Sequence, residues 1–482
     1  MLARSLTLTP PLTPTFFVPW ESWMRPAHTP RPGTTNSPGP GRRSLLAGLA
    51  GAGAVVALGA PAARAADADA RSADARASAT VQLTARPSGE SERLRLGQAL
   101  RGSEFQPTGH HVAAGTPLRL DVLPYDGVLP TLWIGRWDYY GTVTEPRSYP
   151  LKPGANTVTD PHGGPVYFSL EGAGERAGVK LKGGSVPMPV FTLGCTEEAD
   201  YQRQLDTYAD VPVVELHGPR SIVTLTRDGA LLYRDEDHAA LLRLLERIID
   251  AESDISGLDS SRPVHRPKAG GYHFTEVSVV PSGVGAYATH GYNGFPRAYL
   301  DRATTVQGLT TRGWGLYHEL GHLHQQMAYK PGGLTEVTVN IYSLAVQRAL
   351  GQPSNLLTVD PKTGLTYFQS ARAKFGTAGL AYEKSFSAYE KLVPLRQLEL
   401  AFGDDFWPRL HQLVREENPQ SDYTETAKRY RALATYASRT AGRDLTEFFL
   451  TTWAFPIDAQ GRAELAALNL PQPSVDPATL AD

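Results

Sequence analysis

Apolar and charged residues alternate at period two in Leu118-Arg119-Leu120-Asp121-Val122 and again in Val179-Lys180-Leu181-Lys182, with Gly and Pro clusters between such stretches. Alternation of this kind gives a strand one face for a core and one for water, so residues 86–195 are expected to fold as an antiparallel β-sandwich. The pattern then changes. Ser221-Ile222-Val223-Thr224-Leu225 reads as a strand, whereas Leu241, Leu244, Leu245 and Ile248 recur at i, i+3, i+4 and i+7 and mark one face of a helix. Strand, helix, strand and a further helix near 314–326 predict an α+β domain over 196–350. After Gly351 helical patterning dominates, with candidate helices from Leu392 to Phe406 and from Tyr423 to Ala441, so 351–482 is expected to be a helical C-terminal subdomain. The predicted fold class is therefore multidomain, and no internal repeat is evident.

The N-terminus adds an address to that plan. Gly41-Arg42-Arg43-Ser44-Leu45-Leu46 opens an uncharged Ala/Gly/Leu/Val run through Pro61, followed by Ala63-Arg64-Ala65, which has the A-x-A form of a cleavage site. Residues 42–65 thus resemble a twin-arginine signal peptide, preceded by a poorly structured extension at 1–41 and followed by a flexible leader at 66–85. An anchoring helix is the alternative, but the run is shorter than the roughly 20 residues a span needs and is rich in Gly and Ala. Export to the extracellular medium is expected, with Met24 as an alternative start.

Charge and cysteine content narrow the function classes. With 47 Lys+Arg against 49 Asp+Glu the chain has no basic excess for nucleic acid and no polybasic membrane patch, so neither partner is expected once the signal is removed. A monomer is expected. One cysteine, Cys195, excludes an internal disulfide, and a lone thiol with no histidine close in sequence is expected to be a small buried hydrophobe.

The chemistry is concentrated in G-W-G-L-Y-H-E-L-G-H-L-H-Q-Q, residues 313–326. Residues four apart stack on one helix face, so His318 and His322 can converge on a single ion. Glu319 projects about 100° round the axis, beside the ion, where a general base for an activated water belongs. With 13 histidines in the chain the motif alone is suggestive, and its context strengthens it: Leu316, Leu320 and Leu323 give the helix one buried face. Gly321 leaves room for another segment or a substrate to approach. A catalytic zinc takes three protein ligands and keeps a position open. Pro331-Gly332-Gly333 breaks the chain and a second helix begins at Thr335, so an antiparallel return brings Glu336 to the histidine pair as third ligand. Asn340, one turn further on, is placed to orient a ligand imidazole. A first-turn acid and a polar helix face are the plainer readings of Glu336 and Asn340.

H-E-L-G-H-L-H-Q followed by T-E-V-T-V-N-I-Y-S-L-A-V-Q is similar to the enhancin-type gluzincin zinc metallopeptidases, whose members include bacterial peptidases directed at mucins and other O-glycosylated proteins. The resemblance extends to Pro107-Thr108-Gly109-His110-His111, to Gly294-Phe295-Pro296, to Ala401-Phe402-Gly403 and to Asp444-Leu445-Thr446-Glu447-Phe448-Phe449, and so spans about residues 95–458. It implies a zincin-like catalytic domain, one catalytic Zn2+ held by His318, His322 and Glu336, Glu319 as catalytic base, and a protein or O-glycosylated protein substrate. Gln325 also matches the family pattern, and a structural hydrogen bond is expected of it, while His324 is expected to be a surface or packing residue. Phe295 stands where the family more usually has Tyr, which removes a hydroxyl from any substrate contact there. Tyr287, His290 and Tyr292 lie where a substrate-binding edge strand is expected, with packing as the alternative role. Two other functions stay open at this point: a general secreted peptidase with no glycan requirement, and a catalytically idle glycan-binding protein with a zinc site.

Overall fold

Alternation along Pro117–Tyr125 is realised directly: Leu118, Leu120 and Val122 are buried while Arg119 is exposed. The computed structural model describes residues 79–417 and 425–482; the expected extension, signal and all but the last residues of the leader lie outside the described residues. Nine strands come first: β1 (Thr80–Thr84), β2 (Gln106–Val112), β3 (Pro117–Tyr125), β4 (Thr131–Ile134), β5 (Arg147–Pro150), β6 (Gly154–Thr159), β7 (Gly164–Ser169), β8 (Arg176–Gly183) and β9 (Ser185–Pro187). They form two antiparallel sheets, ordered β1-β8-β3-β6 and β5-β4-β7-β2-β9. Leu118, Leu120, Val122, Val179 and Leu181 from the first sheet share one core with Val112, Leu132, Ile134, Val166 and Phe168 from the second. Truncating a residue such as Leu120 to Ala in this core costs about 2–5 kcal/mol, the transfer term plus the cavity.

Two parts of this region depart from the sequence expectation. The leader was expected to run to residue 85, but Thr80–Thr84 pairs with Arg176–Lys180 as β1, because Val81 and Leu83 supply the alternation of an edge strand. Gly89–Leu96 is a helix, capped by Ser88 and closed by Gly97 at φ 68, a conformation that suits glycine. The stretch that follows it, Gly97–Ser103, reaches the next sheet where Ser103 pairs with Gly271.

That sheet is mixed and contains β10 (Val190–Thr192), β11 (Val213–His217), β12 (Ser221–Thr226), β13 (Tyr272–Val277), β14 (Tyr287–Thr289) and β15 (Tyr292–Pro296), in the order β10-β11-β12-β13-β15-β14. β14 is an edge, antiparallel to β15. Side chains alternate across the sheet. Tyr272 and Asn293 face the helices, while His273 and Tyr292 face the paired sheets, where Tyr292 stacks on Trp137. The helix His238–Ile255, capped by Asp237, buries Leu241, Leu244, Leu245 and Ile248 as their spacing predicts.

The C-terminal region is helical. The helix expected from Leu392 is Ala388–Phe402, because Ser387 and Glu390 form a capping box four residues earlier and Gly403, at φ 87, ends it; Phe406 starts the next helix, Phe406–Glu417. Thr426–Ala441 closes on Gly442 at φ 61. Cys195, expected in a core, is exposed: it sits in the turn after β10, where its N–H meets the Thr192 carbonyl. Among the described residues no helix is long and apolar enough to cross a membrane.

Candidate metal centre

The site helix, Trp314–His322, lies against the mixed sheet with Leu316, Tyr317, His318, Glu319 and Leu320 all buried. A Cβ on Gly321 would stand 3.0 Å from the Val339 carbonyl oxygen and the same distance from its Cγ2. Glycine there lets the chain leading into the helix Asn340–Ala349 approach closely, so the neighbour that Gly321 admits is a segment of the protein. That chain descends from Gly332–Leu334 through the short helix Thr335–Thr338, which carries Glu336.

Glu336 Oε2 stands 2.8 Å from His318 Nε2 and 3.4 Å from His322 Nε2. The three ligand atoms lie within 4.8 Å of one another, and the two imidazole planes are nearly perpendicular at 89°. The reason they converge lies on the other edge of each ring. His318 Nδ1 is 2.8 Å from Asn340 Oδ1, and His322 Nδ1 is 3.1 Å from Gln325 Oε1. Both amides are fixed in turn: Asn340 Nδ2 donates to the Glu336 carbonyl, and Gln325 Nε2 donates to the Thr335 carbonyl and to Thr338 Oγ1. An amide oxygen can only accept, so each Nδ1 carries a proton and each Nε2 faces Glu336, donating to the carboxylate when protonated and open to a cation when not. Two imidazoles and a carboxylate, oriented by hydrogen bonds at the far ring nitrogens, are a donor set that could hold a metal ion.

Electrostatics agree with that geometry. Burial works against charge on His318, yet its hydrogen bond to Glu336 and the charges of Glu319 and Glu336 push it up to about 9. Burial also works against charge on Glu336, but His322 and His318 hold its carboxyl far below the usual range. A divalent cation and the His318 proton therefore compete for one lone pair. Glu319 behaves differently: burial raises its pKa, and the His318 and His322 rings offset only part of that. The backbone N–H of Ala288 in edge strand β14 hydrogen-bonds its carboxylate, and Asn293 Nδ2 donates to its backbone carbonyl at 2.7 Å.

The remaining predicted positions separate clearly. Asn340 and Gln325 join the His318 and His322 imidazoles, and Gln325 does more than the structural bond expected of it. His324 is a buried packing residue, held by Ser256 Oγ at 2.9 Å and Tyr272 Oη at 2.8 Å. Tyr287 and Tyr292 point away from the site helix, their hydroxyls 3.0 Å apart under the N–H of Tyr139, while His290 Nδ1 accepts from the Arg101 N–H. Phe295 is buried against Phe274. Ala288 and Asn293 were not found from sequence, because a backbone donor and a strand amide carry no motif.

A helix bearing H-E-x-x-H, with a glutamate returned from the next helix, is the arrangement on which one class of metallopeptidases is built. Residues 184–454, more than half of the chain, match Peptidase M60, enhancin and enhancin-like, and the chain belongs to that family. A solved structure described as a functionally unknown conserved protein from Bacillus anthracis str. Ames is 29% identical, with a TM-score of 0.74 over 84% of this chain and 81% of its own. The catalytic module of the metalloprotease ZmpA from Clostridium perfringens is 21% identical, with a TM-score of 0.67 over 84% and 81%. The M60 catalytic domain of Clostridium perfringens ZmpC, solved in complex with the sialyl T antigen, is 18% identical, with a TM-score of 0.66 over 83% and 82%. These last two share the fold. No curated protein matches the chain.

Proposed function

We propose that this protein is a secreted zinc-dependent endopeptidase acting on mucin-like or other O-glycosylated proteins, with His318, His322 and Glu336 as zinc ligands and Glu319 as catalytic base. The observation that carries the reading is the pair of amide oxygens, Asn340 Oδ1 and Gln325 Oε1, that aim both Nε2 atoms at Glu336 while Glu319 lies buried beside them. Zinc, when bound, would polarise the scissile carbonyl and acidify a water. Glu319 accepts that water's proton and delivers it to the leaving amine; burial raises its proton affinity toward the range where both transfers are feasible. The Ala288 N–H steadies the carboxylate between the two transfers. Glu336, with a side chain 28% exposed, marks the solvent side of the centre. The edge strand β14 lies beside Glu319, a suitable track for an extended substrate.

We read the paired sheets as the β-sandwich module, which was expected over 86–195 and runs instead from β1 at Thr80 to β9 at Pro187, followed by a catalytic domain that takes in β10 and continues to 350 and by the helical subdomain (351–482), with export through the segment at 42–65 and action as a monomer. Support for a glycosylated substrate comes from the family and from the relative bound to the sialyl T antigen. A purely glycan-binding role leaves a buried acid beside the ligand set without purpose. The test is mass spectrometry of products after incubation of the zinc-loaded protein with an O-glycosylated mucin and with the same polypeptide unglycosylated. Cuts beside glycosylated Ser or Thr in the decorated substrate alone are expected; cuts in both would make the protein a general peptidase, and cuts in neither would restore the binding reading.

A further inference from the structure

The C-terminal end of the site helix is held from behind by a buried cation. Lys268, 8% exposed, donates from Nζ to the carbonyl of Leu323, the residue that caps the helix one position after His322; the distance is 3.1 Å. A helix end leaves carbonyls without intrahelical partners and carries partial negative charge, so an ammonium there is favourable. Two carboxyl groups, Glu92 and Glu252, favour its charge from nearby. Glu92 is engaged by Arg95 and by the Ala269 N–H, and Glu252 is wholly buried with neither carboxyl oxygen hydrogen-bonded, burial raising its pKa against the charge of Lys268. The ammonium also lies 5.1 Å from the centre of the Tyr272 ring, whose hydroxyl holds His324.

A strap closes over this lysine. Gly97–Ser103 binds three elements around the site: Ala99 N–H meets the Gln325 carbonyl and Met327 N–H the Gly97 carbonyl, Gly291 N–H meets the Arg101 carbonyl behind β14, and Ser103 pairs with Gly271 at the start of β13. At Gly102 a Cβ would fall 2.6 Å from Lys268 Cδ, so the strap needs glycine there to admit the lysine stem. Burying an ammonium is costly, and here burial lowers it to about 7. That cost is set against the bond to the Leu323 carbonyl, so fold stability alone does not account for a lysine at this place.

We propose that Lys268 is a positioning residue for the metal centre: by holding the Leu323 carbonyl it fixes the last turn of the site helix and so the direction from which His322 meets its ion. This rests on the zinc reading above. The test uses the full chain and its Lys268→Met and Gly102→Ala variants; methionine keeps the stem and loses the donor, whereas the alanine displaces the stem and keeps the lysine. Zinc affinity is read by chelator competition, ligand geometry by the absorption of the cobalt-substituted protein, and fold stability by thermal unfolding of the metal-free protein. In both variants zinc is expected to bind about tenfold more weakly, the size of effect seen when a ligand loses its supporting contact. The cobalt spectrum should change in both, while Lys268→Met unfolds at or above the wild-type temperature. Unchanged affinity and spectrum in Lys268→Met would overturn the proposal, as would a loss of affinity matched by a lower unfolding temperature in both variants. A wild-type chain that takes up no stoichiometric zinc would remove the zinc reading itself, a result distinct from either.

Discussion

The two faces of the mixed sheet are both buried and both polar, yet they are organised in opposite ways. On the face toward the paired sheets, the Tyr167 hydroxyl donates to Glu215, which also meets His217 Nε2 at 2.7 Å, and Thr224 Oγ1 meets His273 Nε2 at 2.7 Å. Those groups mostly pair with one another and end in an aromatic stack of Phe105, Trp137, Tyr167 and Tyr292. Toward the helices, the hydrogen bonds of Asn340 and Gln325 occupy only the back of each imidazole and leave both Nε2 atoms aimed at one carboxylate. Buried polarity by itself therefore does not mark a functional site. Ring nitrogens turned toward a shared point do.

Breaking the convergent face should have the largest effects. His322→Ala removes a ligand and is expected to abolish both stoichiometric zinc binding and cleavage, checked by metal analysis and by product mass spectrometry. Asn340→Ala leaves all three ligands but frees the His318 ring, and zinc affinity should fall about 10- to 100-fold in chelator competition. On the closed face the expectation is reversed. Tyr167→Phe deprives the Glu215 carboxylate of a donor and should cost about 1–3 kcal/mol in denaturant unfolding while zinc affinity stays at the wild-type value. His217 and Tyr167 hold the Glu215 carboxyl below its ordinary 4.5 against the opposing effect of burial. A depressed carboxyl stabilises the fold above its unfolded pKa, so that contribution should fade as pH drops below 4.5, and Glu215→Gln should flatten this part of the stability profile. The smallest effect belongs to Cys195→Ser, an exposed turn position, expected within about 0.5 kcal/mol of wild type in the same unfolding measurement.

The same contrast explains what was legible in the sequence. Period-two alternation revealed β3 because one face of that strand is wet, and the spacing of His318, His322, Glu336 and Asn340 was readable because helix geometry fixes which residues share a face. Gln325 lies three residues from His322, but its part depends on an amide held by Thr335 and Thr338, which only the folded loop shows. The Ala288 N–H and the Gly97–Ser103 strap act through backbone groups, which every residue carries and no motif records. The helix at 388–402 was placed late because its start is set by a reciprocal cap rather than by apolar spacing. Cys195 was misread because a preference for burial says little about a residue in a tight turn.

The central claim, that Glu319 is the base of a zinc peptidase assembled on the convergent face, is tested most directly by zinc content and product mass spectra of the wild-type and Glu319→Gln proteins on one O-glycosylated substrate. One zinc per chain in both proteins, with cleavage by the wild type alone, is the predicted result. Cleavage that persists in Glu319→Gln at the wild-type rate would contradict it.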